Sequence, residues 1–217
     1  MTSKRHLRYG FAALALCFAV PAPAATIGVQ SGGITLNSTN TATAGTFANP
    51  WLINENMTSP GILVFSNTPL GNANPTGSGH DEGRWFSKTV LNNTGATWTS
   101  FELELQVRLG TPSGQGDGLS FADGSNLTGL FTSNQFATYT RQDVTRDYLN
   151  FSGGDVLPGE SVTFKFVITD NSDNSPFYLV QTPNVIDAVP EPETYGMLLA
   201  GLGFMGFVAR RRKHEAS

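Results

Sequence analysis

Residues 97–110 read TWTSFELELQVRLG, and along them Phe101, Leu103, Leu105, Val107 and Leu109 alternate with Glu102, Glu104, Gln106 and Arg108. A period of two sends successive side chains to opposite sides of an extended chain, so the stretch predicts a half-buried β-strand with one wet face. Residues 160–170, ESVTFKFVITD, repeat the pattern: Val162, Phe164, Phe166 and Ile168 fall on one side, Thr163, Lys165 and Thr169 on the other. Pro158-Gly159 just before it is a turn signal that gives this strand a defined start.

Outward from these two segments lie weaker strand candidates: ATIGVQ (25–30), GILVFS (61–66), RWFSKTVLN (84–92), DGLSFA (117–122), DYLNFSG (147–153) and PFYLVQT (176–182). Gly, Asn, Asp and Pro separate nearly all of them, and helical periodicity is almost absent. The pattern predicts an all-β body, a single antiparallel β-sandwich of Ig-like or jelly-roll type. No repeat of fixed period is visible, which argues against a propeller or solenoid. Residues 66–83 and 109–118 read as exposed loops.

The two chain ends differ from this body. At the start, Lys4, Arg5 and Arg8 precede the apolar run Phe11–Val20, and Ala22-Pro23-Ala24 follows it. That order is a secretory signal peptide, with signal peptidase expected to cut after Ala24. Cys17, the one cysteine, lies inside it, so the body has neither thiol chemistry nor disulfides. Between Ala25 and Val189 there are six basic residues against fourteen acidic ones, a balance of −8. Such a body lacks the clustered Lys and Arg that nucleic acid or an anionic lipid surface would require.

At the other end, Val189-Pro190-Glu191-Pro192 leads into Tyr195–Ala209, fifteen residues without a charge. As a helix that run spans about 22 Å, short against the ~30 Å hydrocarbon core of a bilayer. Arg210, Arg211, Arg212 and Lys213 then form a stop-transfer cluster whose sign holds the helix end on the cytoplasmic side. The run contains a literal G-x-G-x-x-G (Gly201, Gly203, Gly206). A nucleotide site would need a preceding strand and an acidic residue ~20 positions further on; small residues in a membrane helix account for it better.

The ordered triple of Pro-Glu-Pro, Gly-rich apolar helix and arginine cluster closely resembles the PEP-CTERM sorting signal of Gram-negative bacteria. The resemblance covers 189–213 and implies recognition by the membrane peptidase exosortase. Pro190, Glu191 and Pro192 would be the recognised residues, with processing near them after transient anchoring in the inner membrane. It further implies delivery of the body to the cell surface or extracellular matrix, in the company of exopolysaccharide and biofilm. The organisation expected is a signal peptide at 1–24, a β-sandwich at 25–188, and a sorting signal with a transmembrane helix at 189–213.

Within the body, chemistry-bearing residues are few. His80 is the only histidine outside the two ends, and with no G-x-S-x-G elbow it reads as a solvated loop residue. Glu102 and Glu104, about 7 Å apart on one strand face, read as exposed sheet surface in preference to a glycosidase pair. The most specific metal candidate is GQGDGLSFADGSN, where Asp117, Asp123 and Asn126 offer hard oxygens to Ca²⁺, although the spacing fits no EF-hand and Asp beside Gly is ordinary turn chemistry. HDEG (Asp81, Glu82) and TDNSDNS (Asp170, Asp173) are similar in kind. Trp51, Trp85 and Trp98 are candidates for sugar stacking, but Trp98 begins the best strand and Trp85 lies in another, so each reads as core or core edge. The chain therefore reads first as a non-enzymatic exported surface or matrix protein with no cofactor. A carbohydrate-binding module, with or without Ca²⁺, comes second, and a polysaccharide hydrolase third.

Overall fold

The strand expected at 97–110 forms, and its partners on both sides explain the architecture. A computed structural model describes residues 25–68, 70, 83–114, 116–121, 131–142, 144–170, 175–186 and 205. In chain order the strands are β1 (Thr26–Asn40), β2 (Trp51–Ser66), β3 (Arg84–Asn92), β4 (Thr97–Arg108), β5 (Thr111–Pro112), β6 (Leu119–Phe121), β7 (Thr132–Ser133), β8 (Thr138–Gln142), β9 (Tyr148–Val156), β10 (Ser161–Asp170) and β11 (Phe177–Ile186). They hydrogen-bond in the order β6-β10-β3-β2-β11-β4-β9-β8, with β1 also on β2, β5 on β4 and β7 on β10.

β2 is the corner of this sheet. β1 pairs along its whole length, from Leu52 to Ser66, which leaves one edge for everyone else. Its first half uses that edge for β3 (Trp51–Met57), and its second half uses it for β11 (Gly61–Phe65). Between the halves Thr58, Ser59 and Pro60 are exposed, and the ladder with β1 shifts register there. At the bend Gly32 has φ 88°, and a Cβ on it would lie 2.3 Å from the Pro60 carbonyl oxygen, so no larger residue fits the crossing. A strand that bends from one layer into another curls the sheet over on itself.

The two halves of the curled sheet face each other through phenylalanine. Phe164 on β10 meets Phe101 on β4 at 4.8 Å and Phe151 on β9 at 4.9 Å between ring centroids. On one layer Phe166 stacks on Phe86 and meets Phe121 edge-on; on the other Phe65 stacks on Phe177. All of these rings are buried, and each contributes about 1.5–3 kcal/mol relative to an exposed position. Thr99 is the residue by which β4 outruns β11 between Val185 and Asn184, and this bulge brings Trp98 and Phe101, three positions apart, to the same inner face. The free edges of the curl approach each other where β7, on β10, runs through Asn134–Ala137 into β8, on β9.

Three expectations need correction. The sheet is not wholly antiparallel: β2 and β3 run parallel, and the long stretch of sequence between them meets the need of a parallel pair for a crossover connection. The wet faces are also drier than the alternation implies. On β10 Val167 and Thr169 are fully buried, and on β4 Glu104 and Gln106 are 6% and 8% exposed. The loop expected at 109–118 contains the two-residue β5. The expected signal peptide and, apart from Met205, the expected tail helix lie outside the described residues, among which no helix is long and apolar enough to cross a membrane.

Candidate functional sites and the sorting tail

The outer row of β4 is covered by one arginine. The turn between β8 and β9 projects Arg146 over the strand, where its Nη2 donates to Glu102 Oε1 at 2.6 Å and its Nε to Glu104 Oε2 at 2.5 Å. The guanidinium also lies 4.9 Å over the Tyr148 ring. Glu104 accepts a further bond from Gln106 Nε2 at 2.7 Å, and Gln106 Oε1 takes the backbone N–H of Gly110 at 2.8 Å. Partial burial pulls Arg146 down, but hydrogen bonds and charge from Glu102 and Glu104 outweigh it and hold the group above its ordinary value. The two glutamates thus converge on one cation and do not flank a gap for a sugar ring. The expected exposed surface is a clamped polar ladder.

The candidate calcium loop is built around its first ligand. Asp117 Oδ1 accepts from Ser113 Oγ at 2.9 Å and from Leu119 N at 3.0 Å, while Oδ2 accepts from Gly114 N at 2.9 Å. This is an aspartate organising its own turn. Asp123 and Asn126 lie outside the described residues, as do His80, Asp81, Glu82 and Asp173, and no cluster of three His, Cys, Asp or Glu occurs among the described ones. The three tryptophans are buried. Trp51 Nε1 donates to the Thr43 carbonyl and Trp98 Nε1 to Thr94 Oγ1, so these rings serve the core, as the strand positions of Trp85 and Trp98 predict.

Two features escape sequence reasoning. At the seam between β7 and β8 a half-open cavity of about 160 Å³ is lined by Phe131, Phe136, Tyr139 and Phe151, with Thr132 and Thr138 among its polar residues. The second is a polar trio inside the core. Lys88 Nζ meets Glu55 Oε1 at 2.5 Å, and Gln181 Nε2 reaches Glu55 Oε2 at 3.4 Å, all three residues being 0% or 1% exposed. Burial drives Lys88 below its ordinary value, and the charge and hydrogen bond of Glu55 only partly restore it. A sequence signal existed: Glu55 shares its parity with Ile53 and Met57, and Lys88 with Phe86 and Val90, so each interrupts an apolar face.

Residues 188–213 match the PEP-CTERM protein-sorting motif. This motif marks an exported protein that exosortase sorts and processes at the membrane, and the expected resemblance of 189–213 to it is borne out. The matched residues lie outside those whose structure is described, apart from Met205. No curated protein and no solved structure matches the chain.

Proposed function

We propose that the chain is a non-enzymatic cell-surface or extracellular-matrix protein, delivered by exosortase and associated with exopolysaccharide or biofilm. The observation that carries this reading is the sorting motif at 188–213, joined directly to a body whose last described strand is β11. The acidic balance of the body and the commitment of Glu102, Glu104 and Asp117 to structural contacts support a scaffold in preference to a hydrolase. The curled sheet accords with a sandwich of Ig-like or jelly-roll type. Intact mass of the protein recovered from the surface of its native host tests the proposal: loss of residues 193–217 is expected, and a mass that retains them overturns it.

A carbohydrate-binding module is the second reading, favoured by the ring-lined cavity at the β7–β8 seam. Aromatic faces with neighbouring hydroxyls suit a neutral sugar ring. Calorimetric titration of the body with Ca²⁺ and then with polysaccharide separates the two; heat on adding polysaccharide favours the module, and silence in both favours the scaffold.

A further inference from the structure

Among the described residues, β1 is the one long strand with a partner on a single side. It pairs with β2 from Thr26 to Asn40, and no described strand pairs with its outer edge. In an antiparallel ladder every second residue turns its N–H and C=O away from the partner, so this edge presents a row of backbone donors and acceptors. The edge at the other end of the sheet is closed: Arg141 on β8 reaches across the seam to the Phe121 carbonyl at 3.1 Å and to Ser120 Oγ at 3.3 Å.

Sheets guard open edges with charge, lysine above all, or with proline. β1 has neither. From Ala25 to Ser66, which takes in all of β1 and β2, the single charged residue is Glu55, and it is buried. On a body with six basic residues against fourteen acidic ones, these two strands thus expose no charge. Two such bodies approach with least repulsion along them. A sugar would find no ring to stack on at this edge, because β1 contains no aromatic residue.

We propose that the outer edge of β1 pairs with the same edge of a second copy, making a two-fold dimer. β1 follows β2 around the corner, so its first half (26–32) borders the layer of β11 and its second half (34–40) the layer of β3. A two-fold axis through the bend at Gly32 lays the first half of one β1 antiparallel along the second half of the other. Each layer of one body then continues into the opposite layer of its partner, and exposed Val29 gains a cross-strand neighbour. The ladder with β2 shifts register at three places along β1, which divides the outer edge into short runs. Pairing through short runs is reversible, and it stops at two chains because each copy offers one such edge.

Sedimentation velocity and native mass spectrometry of the protein recovered from the surface of its native host, across a dilution series, test this. Twice the single-chain mass is expected at high concentration, falling to the single-chain mass on dilution, and the β1 amides should lose protection from hydrogen exchange in step. Val29→Lys combined with Thr35→Lys charges two exposed positions of the strand and should abolish the dimer, while the variant still unfolds cooperatively. Val144→Lys, an exposed change in the turn between β8 and β9, should leave the dimer intact. A single-chain mass at every concentration overturns the proposal. So does a dimer that survives the two lysines, growth beyond two chains, or a different protein bound along β1.

Discussion

Glu104 is held beneath the guanidinium of Arg146, which reaches it from the β8–β9 turn and binds Glu102 with the same fork. Removing the arginine strands a carboxylate that is almost fully buried. Arg146→Ala should therefore destabilise the body by about 1–3 kcal/mol, because a buried charged acceptor loses its partner. Arg146→Lys, a point charge without the fork, should recover only part of that. Urea unfolding of the three proteins at one ionic strength reads the difference.

Phe164 is the ring where the two layers meet, touching Phe101, Phe136 and Phe151. Phe164→Ala should cost about 3–5 kcal/mol, the usual range for deleting a buried aromatic. Phe47, half exposed, should tolerate the same change far better. Midpoints of denaturant unfolding with unchanged slope would register both.

Lys88 titrates below its ordinary value of 10.5 in the folded state. The unfolded chain then binds the extra proton between the lowered value and 10.5. Stability should rise with pH across this window and level off above it. Lys88→Met should lack the rise. Unfolding free energy followed through the alkaline range compares the two slopes.

Asp117 closes its loop through three accepted hydrogen bonds. Asp117→Ala should lower stability by about 1–3 kcal/mol whether or not Ca²⁺ is present. A melting temperature that climbs on adding Ca²⁺ to the unmodified protein and not to the variant would instead give this carboxylate a role as ligand.

In the tail, exchanging Pro190, Glu191 and Pro192 together for alanine should block processing. The variant is expected to stay with the membrane fraction at a mass that still contains residues 193–217, whereas the unmodified chain leaves it.

Much of this fold is readable from parity. The predicted segments at 84–92, 147–153, 160–170 and 176–182 fall on β3, β9, β10 and β11. The first half of β2 escapes because Asn54, Glu55 and Asn56 break the apolar pattern and Pro60 imitates a strand boundary, although it sits at a bend within one strand. β1 extends well past the predicted 25–30 since β2 supplies its partner along the full length, a non-local effect that local propensity cannot register. The drying of Glu104 has the same origin: an arginine 42 positions downstream covers it. The sorting tail, by contrast, is a linear signal and is legible without the fold.

β11 is both the last described strand and an interior one, flanked by β2 and β4, and the tail continues from its end. A pull applied to the chain end along the axis of β11 would load its hydrogen bonds to β4, from Tyr178 to Ile186, and to β2, from Phe177 to Gln181, together in shear. The sorting motif thus follows a strand bonded on both sides and not a free edge.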